Sequence, residues 1–222
     1  MDPNTTPPSD GGPVYAETDL ARTIAEPWNA ASAAVFLLIV LFWAVRLRGR
    51  YRQVPFLSAC LPILTAGGIG GTLYHAFRSS YVFFLLDVVP IGLLCALVSL
   101  FLWARLNLRW YHLIIILLLF LGLNQAARLG TTTQQSINVS YGLLACIILA
   151  PMSIVLIRTR FRHGGWIALA LPLFAAALFF RYADGWQPPL LSMGTHWLWH
   201  LCGAASCAAL AEYVYRLELE RA

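Results

Sequence analysis

Long apolar runs separated by short polar stretches make up most of this chain. Seven runs stand out, at residues 27–46, 54–77, 81–104, 109–127, 137–158, 164–182 and 194–216. A helix rises about 1.5 Å per residue, so about 20 apolar residues cross the hydrocarbon core of a bilayer. The runs have that length and predict an all-α fold, a polytopic bundle of seven transmembrane helices. The fourth run is the most uniformly apolar, almost unbroken from Leu113 to Leu123. The seventh is rich in small residues, Gly203 to Ser206, which let helices approach closely in lipid. Ahead of the first run, residues 1–19 are polar and rich in Pro, Gly, Thr and Asp, without the basic start and apolar stretch of a signal peptide. This predicts a flexible polar tail over residues 1–22 and a seven-helix transmembrane domain over 23–222.

Composition supports that reading. Only 11% of residues are charged, against about a quarter in a soluble domain. Every basic side chain is Arg, and the arginines are scattered through short loops. Nucleic-acid binding calls for basic residues clustered on one face, so that class is excluded. The cysteines, Cys60, Cys95, Cys146, Cys202 and Cys207, sit inside apolar runs without a ligand spacing and read as small core residues.

The arginines also set an orientation. Arg46, Arg48, Arg50 and Arg52 follow the first run, Arg105 and Arg109 the third, and Arg158, Arg160 and Arg162 the fifth. Arg216 and Arg221 close the chain, and the other side holds only Arg22, Arg78, Arg128 and Arg181. The positive-inside rule then predicts the N-terminus out and the C-terminus in. An odd number of spans agrees with it.

Ionisable side chains inside a membrane face a partner or a cavity. Here they are His75 near the end of the second run, Asp87 in the third, and His196 and His200 opening the seventh. Glu26, Asn29 and Ser32 open the first. With the orientation above, all of them fall at one level, near the outer face, while His112 and His163 fall on the cytoplasmic side. His196 and His200 are four residues apart, which puts both imidazoles on one helix face. Imidazole suits zinc, and three protein ligands with an open position is the pattern of a catalytic zinc site. Glu26, Asn29 and Ser32 lie within about a third of the helix circumference and are placed to orient ligands by hydrogen bonds. Structural readings stand beside these. His75 is also explained as an interfacial histidine bonded to a carbonyl, Asp87 as an ion pair with Arg78 or Arg181, and Glu26 as a helix N-terminal charge. Trp28, Trp197 and Trp199 fit an aromatic belt, and Pro90 a kink in the third helix.

At these residues the chain resembles the alkaline ceramidase family. It also resembles the wider superfamily of seven-helix membrane hydrolases that includes adiponectin-receptor-like and haemolysin-III-like proteins. The matching pieces are Glu26-x-x-Asn29-x-x-Ser32, Gly71-Thr72-Leu73-Tyr74-His75, Leu86-Asp87-x-x-Pro90 and His196-x-x-x-His200. Orientation favours the ceramidase-like branch, because the receptor-like and haemolysin-like members are expected to be inverted. The resemblance implies that His75, His196 and His200 bind Zn2+ and that Asp87 is the acid/base. It further implies that the hydroxyl three positions before the first ligand, here Thr72 in place of the usual Ser, helps hold the oxyanion or the water. The expected activity is zinc-dependent hydrolysis of a ceramide-like N-acyl lipid to a fatty acid and a long-chain amine. The substrate would be a membrane lipid, at the periplasmic face of a bacterial inner membrane. Family members with a calcium site draw on an acid-rich segment before the first helix. Here YAETDLARTIAE offers Glu17 and Asp19 without that run. Three other readings stay open: a receptor or regulator with a mainly structural zinc, a hydrolase of another N-acyl lipid, and a transporter using Asp87.

Overall fold

The computed structural model describes residues 8–129 and 133–220; residues 1–7 of the predicted tail, 130–132, and Arg221 with Ala222 lie outside them. The helices are α1 (Pro27–Ala33), α2 (Val35–Arg46), α3 (Pro55–Phe77), α4 (Tyr81–Arg105), α5 (Trp110–Arg128), α6 (Thr133–Arg158), α7 (Gly164–Ala183) and α8 (His196–Leu219). There is no strand among the described residues. The first predicted run is thus α1 and α2, interrupted only at Ala34, and each other run is one helix.

Among the described residues, five stretches are long and apolar enough to cross a membrane: Pro27–Arg46, α3, α4, Val139–Arg158 within α6, and α7. This is consistent with a multi-pass integral membrane protein. The apolar stretch Trp110–Ala126 of α5 is shorter. α8 is long but carries Glu212, Arg216 and Glu218. The reason α8 tolerates charge is its place in the fold. It packs chiefly on α7 and also on α1, α2 and α3, and buries both glutamates against protein. A charge held by protein neighbours avoids the cost of facing lipid.

The chain divides into two compact units. In the unit of residues 91–162, α5 packs on α6, and the Ser99 hydroxyl of α4 donates to the Ile147 carbonyl of α6 at 2.6 Å. The other unit, residues 1–90 and 163–222, contains α1–α3, the start of α4, α7 and α8. Near the start of α3 it has an apolar core of Trp43, Leu47, Val54, Leu57, Leu61 and Tyr215. There Glu218 accepts hydrogen bonds from the Phe56 and Leu57 amides, both at 2.9 Å. A helix start leaves its first amides without intrahelical acceptors, and this carboxylate from α8 supplies one. Glu212 accepts from Arg46 and from Arg216. The Arg46 guanidinium also lies over the Trp43 and Tyr215 rings, 4.8 and 4.5 Å from their centroids.

Within the segment read from composition as a tail, the described residues 8–22 make specific contacts with the helices. Asp10, Tyr15 and Glu17 are buried. Asp10 pairs with Arg78 at the end of α3, Nε to Oδ2 2.8 Å, and the Pro13 carbonyl accepts from the same guanidinium at 2.8 Å. Glu17 accepts from the Trp28 and Asn29 amides at 2.7 and 2.9 Å, and so caps α1. The Ala25 amide donates to the Ala76 carbonyl at 2.9 Å. A buried guanidinium and a buried helix start both require anionic partners. The segment provides them, although its composition alone reads as disordered.

Candidate metal centre

Three glycines of α3 set the geometry of the site. A Cβ on Gly70 would lie 2.4 Å from Leu86 Cβ and 2.5 Å from its carbonyl carbon, and one on Gly71 would lie 2.6 Å from Asp87 Oδ1. A Cβ on Gly67 would come within 3.1 Å of Pro90. The start of α4 therefore lies directly against the glycine face of α3. Only a residue without a side chain admits that approach. Asp87 is seated over Gly71, one helical turn before His75. It lies within electrostatic reach of His75 and Arg181.

His75, at the end of α3, meets His196 and His200 from the start of α8. The three ring centroids are mutually 4.7–5.3 Å apart. All three rings are buried, at 0%, 2% and 5% exposure. One ligand nitrogen from each lies within 4.8 Å of the others, so the group could hold a metal ion. Nitrogens on a tetrahedral zinc stand about 3.3 Å apart, given bonds of about 2.0–2.1 Å. Closing the widest gap takes about 1.5 Å of ring movement.

The hydrogen bonds around the rings decide which nitrogens face the centre. His75 Nδ1 is 2.5 Å from Glu26 Oε2. Glu26 also accepts from Arg78, from the Thr18 hydroxyl at 2.6 Å and from Asn29 Nδ2 at 3.2 Å. Burial acts to raise the Glu26 carboxyl, but His75, Arg78 and Thr18 hold it below its ordinary value. Glu26 is therefore an acceptor, the proton of His75 is on Nδ1, and Nε2 carries the free lone pair. That Nε2 is buried without a hydrogen-bond partner. The Ser32 hydroxyl donates its one proton to the Asn29 carbonyl at 3.0 Å and lies 2.8 Å from His200 Nδ1. In that arrangement it accepts from His200, whose lone pair is then also on Nε2. His196 Nδ1 is likewise buried without a partner. Orphaned buried nitrogens cost about 1–3 kcal/mol each, and two of them on neighbouring rings of one histidine cluster fit a metal ligand set.

The remaining predicted residues fall nearby, with differences in detail. Thr72 is one turn before His75, but its hydroxyl donates to the Gly68 carbonyl of its own helix at 2.7 Å. Arg78, one of two partners offered for Asp87, instead pairs with Asp10 and Glu26. Trp28 and Trp197 pack together at 5.7 Å, and Trp199 lies under the Arg181 guanidinium at 5.4 Å.

Two contributors, Tyr15 and Asp184, were not singled out from the sequence. Tyr15 stacks on His196, with centroids 3.9 Å apart and planes at 26°, and leans on His75 at 5.4 Å. Burial pushes its phenol above the ordinary value, so it stays neutral. Asp184, at the end of α7, accepts from the Thr195 and His196 amides at 2.6 and 2.9 Å and from the Ala16 amide at 3.0 Å. It thus caps the helix that carries two of the histidines. Arg181 is buried one turn before it. No local pattern marks Tyr15 or Asp184. The glycine cluster at Gly67, Gly68, Gly70 and Gly71 was the one visible signal that another helix comes close at this level.

No family model matches this chain, and no curated protein matches it.

Proposed function

We propose that this protein is a zinc-dependent intramembrane amidase. It would cleave the amide of a ceramide-like N-acyl lipid into a fatty acid and a long-chain amine. The observation that carries the reading is that Glu26 and Ser32 occupy Nδ1 of His75 and His200, which leaves Nε2 of both rings for one ion beside Asp87. The motifs shared with the ceramidase-like hydrolases support the reaction class, and the arginine distribution supports seven spans with the N-terminus out. The site would then lie near the periplasmic face of a bacterial inner membrane, open to a lipid that diffuses laterally.

Zinc held by the three histidines supplies Lewis-acid polarisation of a carbonyl and brings the pKa of water to about 7. The chain's own groups do the rest. Asp87 accepts the proton of the attacking water and returns it to the leaving amine nitrogen. Glu26 and Ser32 keep both ligand rings in one tautomer through the cycle. Arg181 offsets the negative charge of Asp87 in a dry environment. Thr72 stabilises the developing oxyanion once its hydroxyl leaves the Gly68 carbonyl.

The test uses the purified full chain in lipid nanodiscs with a panel of N-acyl lipids, and it follows fatty acid release. Asp87→Asn should lower turnover by at least about 100-fold with metal per chain unchanged. Full turnover by Asp87→Asn would overturn the assignment of the base. The panel separates ceramides from other N-acyl lipids, such as N-acyl amino acids. A second reading is a receptor or regulator with a mainly structural zinc. It is favoured by the engaged Thr72 hydroxyl and by Tyr15 lying over His196. Bound fatty acid without turnover on any lipid of the panel would decide for it.

A further inference from the structure

The segment from Asp10 to Ala25 crosses the end of the unit where the histidines meet, and it is anchored at every helix end there. Asp10 and the Pro13 carbonyl hold Arg78 after α3. A Cβ on Gly12 would lie 3.2 Å from Phe84 of α4, and one on Gly11 would lie 3.9 Å from Tyr81. The Ala16 amide is bound by Asp184 between α7 and α8, and Ala16 Cβ would be 2.7 Å from a Cβ on Gly194. Glu17 caps α1, and Thr18 reaches Glu26. Tyr15 is in the middle of these anchors, 9% exposed, flat on His196 and tilted over His75.

We propose that this segment is a fixed cover over the histidine cluster, with Tyr15 as its plug and the Asp10–Arg78 ion pair as its latch, and that it closes the cluster to water-soluble solutes. The inference rests on the metal-site reading for what the cover encloses. Its geometry stands on contacts of the segment alone. A plug stacked on a ligand ring blocks the approach of a chelator or a polar substrate along that face. A lipid must then reach the cluster from another side, between helices. The covered ligand also holds its ion against exchange, because the ring of His196 has no room to swing away while Tyr15 is in place.

Two measurements on the full-length protein in nanodiscs test this separately from the metal reading. The first follows zinc release into excess 1,10-phenanthroline. Tyr15→Ala should release zinc at least tenfold faster than wild type, Asp10→Asn should fall between them, and Tyr15→Phe, which keeps the ring, should match wild type. The second uses metal-stripped protein and follows carbethoxylation of His75, His196 and His200 by diethyl pyrocarbonate with peptide mass spectrometry. Labelling of His196 should be slow in wild type and at least tenfold faster in Tyr15→Ala. His112, outside the cluster, is the internal standard for a folded sample. Equal release and equal labelling in wild type, Tyr15→Ala and Asp10→Asn would overturn the cover. A wild type that takes up no zinc, yet shows the same gain in labelling, would overturn the metal reading and leave the cover standing.

Discussion

The two ends of α3 use similar side chains to different ends. At its start, Glu218 caps the helix and Glu212 gathers Arg46 and Arg216, so the buried charges are spent on holding helices together. The indole N–H of Trp43, beneath the Arg46 guanidinium, lacks a hydrogen-bond partner there. At the other end, Glu17 and Asp184 cap α1 and α8 in the same manner. Yet His75 Nε2 and His196 Nδ1, on rings 5.3 Å apart, are buried there without hydrogen-bond partners. At the start of α3 the buried carboxylates are all engaged, whereas near its end ring nitrogens of potential metal ligands are left over. The lesson is that burial of charge alone does not identify a site in a membrane protein. What distinguishes the site is which acceptors and donors are left over.

That contrast can be broken most severely by removing the ligands. His196→Ala with His200→Ala should drop zinc from about one per chain to near zero by elemental analysis, while helicity by circular dichroism is retained. Zinc that stays at one per chain would show that the ion sits elsewhere. A smaller effect is expected for Glu26→Gln. It removes the charge that fixes the proton of His75, and zinc affinity by competition with a chelator should weaken about 10–100-fold. The least effect on metal belongs to the structural end. Glu218→Gln should lower the unfolding midpoint in detergent, at a cost of about 1 kcal/mol for the weakened cap, and leave zinc affinity at the wild-type value. A loss of zinc in that variant would dissolve the distinction between the two ends.

The helices were largely legible in the sequence because runs of about 20 apolar residues leave few alternatives to a helix. α3, α4 and α7 begin and end within one residue of the runs that predict them. The interruption at Ala34 was not legible, since no Pro or Gly stands there to signal it. His75, Asp87, His196 and His200 were legible as polar exceptions in apolar surroundings. What joins them was not. The Asp10–Arg78 pair spans 68 positions and the Ser32–His200 bond 168, and no periodicity encodes a partner at that distance. A polar segment reads as solvent-loving until the buried cation that recruits it is located. For the same reason the segment carrying Tyr15 reads as a tail, while the equally charged end of α8 reads as a span.

The order in which the chain is made gives the hydrogen bond between His75 and Glu26 a temporal meaning. The chain emerges from its N-terminus, and His196 follows His75 after 121 further residues. At about 5–20 residues per second, that is about 6–24 s during which the first histidine is in place without the other two. Glu26 is made before His75, so its carboxylate is already available to engage one face of that ring in the interval. An ion that needs all three imidazoles would therefore be captured only after the helix carrying His196 and His200 is made.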